Sequence, residues 1–230
     1  MKKSADFIDL LGLDDVENIL GEQLPDPGLL EYYRRLKDRE ILWNDDVDES
    51  MIDVSMCIRK WNIEDKGKSV DERKPIKIFI NSDGGDLNTI MNVVDMIELS
   101  KTPVITIALG KAYSAGGLLL MAGDTRYIFK NTSCLIHDGS SGIYGTTGKM
   151  LDNLEFTKGL EKRIRDYIIT HTSIPGDLYD SNYRRDWFLF SDEMIRYNVA
   201  DEIIEDIDLI WGRYGEEEYD YEYRRGSDYA

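Results

Sequence analysis

The 230-residue chain holds only two cysteines, two histidines and five prolines. Two cysteines cannot build a disulfide framework, and Cys57 and Cys134 show no metal-ligand spacing; Cys134, inside an apolar run, reads as a small buried hydrophobe. No metal and no cofactor is therefore expected. No apolar run approaches the ~18 residues that a membrane-spanning helix needs, so no membrane partner is expected. The first residues start basic, as a secretory signal does, but turn acidic at once. They lack an apolar segment and a small-residue cleavage site, and the expected location is the cytoplasm. A basic surplus is missing as well. Lys and Arg number 28 against 45 Asp and Glu, a net charge of −17, which argues against a nucleic-acid partner because nothing is left over to neutralise phosphates. Residues 1–50 carry 14 acids against 6 bases, a balance that reads as solvation.

A hydrophobic fraction of 42% is enough for a substantial core. Apolar spacing over residues 4–20 suits a short amphipathic helix, and PDPG at 25–28 punctuates the chain. Residues 29–38 read as a helix, EILWND as a strand, 50–62 as helical and 62–75 as a polar loop. From Ile76 the pattern becomes regular. A short strand ends in the glycine turn NSDGGD, and Leu87, Ile90, Met91, Val94 and Ile97 fall on one helical face. The strand VITIAL then runs into GKAYSAGG and a buried helix. RYIFKN and SCLIHD follow as strands, 149–172 as one long helix, SDEMIRY as a short helix and DEIIEDIDLI as an extended segment. This alternation predicts an α/β fold with a mainly parallel sheet. The last stretch, rich in charge and tyrosine, reads as a disordered tail.

Three segments carry chemistry. Ser114 in AYSAGG stands at a strand-to-helix transition among small residues, where a nucleophilic hydroxyl is accessible; the same pattern also serves a plain helix cap. The glycines of NSDGG free backbone N–H groups that can face an oxyanion, with the N–H of Ala115 as second donor. That turn has the spacing of neither a P-loop nor a dinucleotide fingerprint. His137 ends the strand CLIHDG, while His171, at the end of the long helix, reads as structural. Asp138, Asp180, Asp186 and Asp192 are all candidates to orient an imidazole.

Taken in order, these segments resemble the ClpP family of self-compartmentalising serine peptidases. INSDGGDL resembles the family's INSPGG turn, with Asp83 standing where the family has proline. GKAYSAGGLLLMAG resembles its nucleophile segment, and SCLIHD the strand that carries its base, although Asp138 and Gly139 replace the family's Gln-Pro. RRDWFLFSDEMIRYNVADEII resembles its E-R-D-x-F segment, and YYRRLKDREILWND its approach to the first strand. The resemblance covers about residues 32–210.

It implies a crotonase-like, ClpP-like βαβ spiral with a long inter-ring helix. It also implies a Ser114–His137–Asp186 triad and oxyanion N–H groups from Gly85 and Ala115. The loop Gly139, Ser140, Ser141 and Gly142 would bind extended polypeptide by strand addition. The implied assembly is a homo-oligomer of heptameric rings, possibly stacked, fed by an AAA+ unfoldase. The organisation expected is a divergent segment at 1–28, a peptidase domain at 29–211 and an acidic tail at 212–230. The alternatives are a catalytically silent ring subunit and a crotonase-type acyl-CoA enzyme; the chain shows no basic cluster suited to CoA.

Overall fold

A computed structural model describes residues 27–140, 142–207 and 210. The amphipathic reading of 4–20 and the acidic tail at 212–230 lie outside the described residues.

Helix α1 (Pro27–Lys37) opens on proline, which is pre-set for a first helical turn, and closes with Arg34, Arg35 and Lys37, cations suited to its negative end. Strand β1 (Glu40–Trp43) leads through a short 3-10 turn to α2 (Ile52–Glu64). Strand β2 (Ile76–Ser82) then precedes α3 (Leu87–Glu98), whose first turn is capped by the Asp86 carboxylate accepting from Thr89 N–H. The rest follows as β3 (Val104–Tyr113), α4 (Ala115–Met121), β4 (Thr125–Ile128), β5 (Ser133–Ile136) and the long α5 (Thr147–His171). The chain continues with α6 (Gly176–Asn182), β6 (Trp187–Phe190), α7 (Ser191–Arg196) and β7 (Glu202–Ile203). Two elements are additions to the sequence reading, α6 and β6. The extended segment expected over 201–210 is reduced to the two residues of β7.

Strands β1-β2-β3-β4-β7 are parallel neighbours in that order. The ten-residue β3 serves two partners. Ile105–Ala108 pair with β4, and Lys111–Tyr113 pair with β5, so the sheet forks along one strand. On the far side of β5 lies β6, the antiparallel member. The chain passes from β2 to β3 through α3 and from β3 to β4 and β5 through α4, the kind of crossover that parallel pairing requires.

The alternation of β2 divides the core. Ile76, Ile78 and Ile80 pack with Val54, Ile58 and Trp61 of α2 and with Ile90, Val93, Val94 and Ile97 of α3. Phe79 faces the other way, into a small cluster with Ile107, Ile204 and Ile210. Beneath the first core an ionic network ties α1, α2 and the β2–β3 edge together. Arg39, in a left-handed conformation with φ 59°, donates to both oxygens of Asp65 at 2.5 and 3.1 Å. Thr102 Oγ1 and Lys68 Nζ also donate to Asp65, at 3.0 and 2.9 Å. Helix α5 is anchored only through its C-terminal half, where Ile164, Tyr167 and Ile168 are buried. Its N-terminal half projects and exposes Leu151, Leu154 and Phe156.

Among the described residues no helix is long and apolar enough to cross a membrane, and no group of His, Cys, Asp and Glu has the clustering of a metal site. Both cysteines are free thiols; burial raises the Cys134 pKa to about 12, so it is inert as a nucleophile.

Candidate active site

Three strand ends converge on one spot. Ser114 follows β3 directly, and its N–H donates to Leu135 O of β5 at 2.8 Å, which draws the serine toward the end of that neighbour. His137 follows β5 directly. The antiparallel register pairs Ile136 with Trp187, so the next pair outward is His137 and Asp186. His137 Nδ1 accordingly lies 3.3 Å from Asp186 Oδ1. The Asp186 side chain is 68% exposed and that of His137 24%, so the carboxylate looks toward solvent while the ring is largely covered. Of the four aspartates open to the sequence reading, register brings Asp186 to the imidazole. Asp180 forms a two-pronged pair with Arg165, which holds its carboxyl below the usual range.

Ser114 adopts φ 52° and ψ −119°, a conformation non-glycine residues rarely occupy, at a cost of ~1–3 kcal/mol. Its side chain makes no capping hydrogen bond, although it stands at the first turn of α4. The strained turn therefore presents the hydroxyl to open space instead of folding it onto the helix. Gly84, at φ +100°, permits this. A Cβ there would stand 2.7 Å from Ser114 Cβ and 2.8 Å from Tyr113 O, so only glycine fits against the serine.

Gly85 makes an isolated parallel bridge with Val47: Val47 N–H donates to Gly84 O and Asp86 N–H to Val47 O, each at 2.7 Å. A bridge of that kind engages the flanking residues and turns Gly85's own N–H to the opposite side. Ala115 is the first residue of α4, so its N–H has no partner within the helix. Asp83, the residue that replaces the family's proline, pairs with Lys111 Nζ, and its charge is balanced there.

Ser114 and His137 border two adjoining cavities. A tight one of about 50 Å³ runs between Gly117, Leu118, Met121, Ile164 and Ile168, a mostly apolar slot closed by Tyr179 and Tyr183. Burial lifts the Tyr179 pKa to about 12, so that wall stays uncharged. The second, about 880 Å³, is open and bordered by Gly85, Gly139, Ser140, Gly142 and Tyr144. Ser141 lies outside the described residues. The loop around it forms no strand within the chain: its described residues are coil, with Gly139 at φ 72° and Gly145 at φ 153°. His171 borders neither cavity. It ends α5, where its Nε2 lies 3.0 Å from Glu98 Oε1 and its ring stacks on Tyr167, in keeping with a structural part.

Sequence patterning missed the strand β6, although WFLF is an unbroken apolar run between charged RRD and SDE. It also missed α6, which with its C-cap residue supplies Tyr179 and Tyr183 to the wall of the slot.

The model of the Clp protease family matches residues 29–207 of this chain. The chain belongs to the Clp protease family. Among curated proteins it is similar to the ATP-dependent Clp protease proteolytic subunit of Deinococcus radiodurans. The two are 30% identical over 176 residues, covering 76% of this chain and 84% of the relative. The matched span starts in α1 and ends just past β7, so every strand of the Clp protease sheet and all three converging strand ends fall within it.

Proposed function

We propose that this chain is a serine endopeptidase subunit that cleaves unfolded polypeptide inside an oligomeric chamber. The observation that carries the reading is the convergence of Ser114, in its strained turn, with the His137–Asp186 pair beside one open cavity. Ser114 Oγ attacks the peptide carbonyl as His137 Nε2 takes its proton. The tetrahedral oxygen is received by the N–H groups of Gly85 and Ala115. His137 then protonates the leaving amine, and water repeats the sequence on the acyl-enzyme to regenerate the serine. Asp186, at Nδ1, keeps the imidazole in the tautomer that leaves Nε2 free to accept. The apolar slot would take a substrate side chain. The loop at Gly139, Ser140, Ser141 and Gly142 would hold the extended chain beside it.

The exposed apolar residues of the projecting half of α5, Leu151, Leu154 and Phe156, support assembly through that helix into heptameric, stacked rings. An AAA+ unfoldase supplying substrate and a cytoplasmic location complete the reading. The peptidase domain is taken as 29–211.

A fluorophosphonate probe on the assembled protein tests the nucleophile. Labelling is expected at Ser114, in a particle of ring size. A properly assembled ring that takes no label would sink the peptidase reading and leave a silent subunit. Gly84→Ala is expected to lower kcat/KM by about 100-fold while the far-ultraviolet dichroism is unchanged, because a shift of the serine of order 1 Å costs about that much. Unaltered turnover in this variant would mean that the close approach of Gly84 to Ser114 does not set the reactive geometry.

A further inference from the structure

Ser82 takes no part in the bond-making steps, yet it touches both flanks of the proposed oxyanion site. It ends β2 and is buried, 1% exposed. Its Oγ accepts from the N–H of Gly84 at 3.1 Å, closing a turn across Asp83 with a side chain. On its other side it abuts the first turn of α4. A Cβ on Gly116 would stand 3.1 Å from Ser82 Cβ and 3.3 Å from Ser82 O. One donor, the Gly85 N–H, follows the turn that Ser82 closes. The other, the Ala115 N–H, precedes the glycine that Ser82 touches.

Register puts Ser82 in this place. Ile80 pairs with Ala108 but Ser82 with Ala112, so β3 uses four residues where β2 uses two. Asn81 holds the uneven stretch, its Oδ1 accepting from Lys111 N–H at 3.3 Å. Two residues beyond the Ser82–Ala112 pair stand Gly84 and Ser114, so close that a Cβ on Gly84 would lie 2.7 Å from Ser114 Cβ. In even register Gly84 would stand opposite Ala112 instead, and the nucleophile would miss the turn.

Hydrogen bonds on both sides fix the peptide that joins Gly84 to Gly85. Its carbonyl accepts from Val47 N–H at 2.7 Å, and in a trans peptide the N–H points away from the C=O. Two glycines with φ of 100° and 147° leave such a peptide free to rotate unless it is held. Val47 holds the carbonyl, and Ser82 Oγ holds the N–H one peptide earlier. We propose that Ser82 is a positioning residue of the oxyanion hole. Its hydroxyl fixes the direction of the Gly85 N–H, and its contact with Gly116 fixes the spacing to the Ala115 N–H. The assignment rests on the peptidase reading above.

Ser82→Ala in the full-length, assembled protein tests it, because alanine keeps the Cβ that packs on Gly116 and removes only the acceptor. Its kcat on a fluorogenic peptide is expected to fall about 30-fold, short of the roughly 10²–10³ lost with a whole oxyanion donor. KM should stay within about twofold, since the interaction belongs to the transition state. A peptide aldehyde, whose hemiacetal carries the tetrahedral oxygen, should lose affinity in proportion to kcat/KM, while the product peptide binds as before. The pH midpoint of kcat/KM should not move, because the imidazole is untouched. Gly116→Ala makes the complementary change, displacing Ser82 by a few tenths of an ångström with every polar group retained. Its kcat is expected to fall about fourfold, on a scale of about 100-fold per ångström. Parental kcat in either folded variant overturns the assignment. So does a loss shared equally by aldehyde and product peptide, or a moved pH midpoint. A parent protein that neither turns over peptide nor labels at Ser114 would instead overturn the peptidase reading, and the assignment with it.

Discussion

Ser114→Ala is expected to lower peptide turnover by about four to six orders of magnitude, with the folded chain and its assembly intact. The fold should not suffer because the hydroxyl makes no capping bond and the residue sits in a turn whose strain an alanine shares. His137→Ala should cost nearly as much, and the double variant scarcely more than either, since the two act as one unit. Asp186→Asn should cost less, because its carboxylate is 68% exposed and the charge that it lends to the imidazole is partly screened by water. A fluorogenic peptide assayed with the purified particle gives all four numbers. Equal activity in the serine variant and the parent would remove Ser114 from the mechanism altogether.

The second large effect concerns stability. Asp65→Ala is expected to destabilise the fold by about 3–5 kcal/mol, because it strips the buried Arg39 guanidinium of its main counter-charge. The Asp65 side chain is 0% exposed, so water cannot take over. Glu64, 3.3 Å from Arg39, offers partial compensation and should keep the loss toward the lower end. Urea denaturation measures it. The network also fixes a pH dependence. Hydrogen bonds from Arg39, Lys68 and Thr102 outweigh burial and hold the Asp65 carboxyl well below the usual carboxylate range. In the unfolded chain the same group titrates near ~3.9. Its contribution is therefore complete at neutral pH, starts to fall as the pH drops through about 4, and is lost at the still lower pH where folded Asp65 itself protonates. Asp65→Asn should show a constant deficit above about pH 5 that shrinks on acidification. A deficit that grows in acid would reverse the sign and exclude this origin.

Much of the central fold was legible because periodicity and glycine turns coincide there. The short apolar run of β2, the apolar stripe of α3 and the small residues after β3 each announce their element, and the structure agrees within a few residues. What stayed hidden is non-local. Nothing in VITIALGKAY tells that its first half pairs with one strand and its second half with another. The Asp186 side chain reaches His137 through the antiparallel register of β5 with β6, and WFLF has no two-residue alternation by which to recognise a half-buried strand. From the residues alone four aspartates stood equal; the family resemblance separated them. The Arg39–Asp65 network joins residues 26 positions apart and leaves no local trace.

The position of β6 has a temporal meaning. The ribosome delivers this chain from its N-terminus. Nucleophile and base emerge at 114 and 137, while the carboxylate follows only at 186, on the strand that closes the edge of β5. Under the proposed assignment a nascent chain carries two thirds of the triad for about fifty residues of synthesis without the group that orients its imidazole. On that assignment the set of three side chains is complete only when the sheet itself is nearly complete.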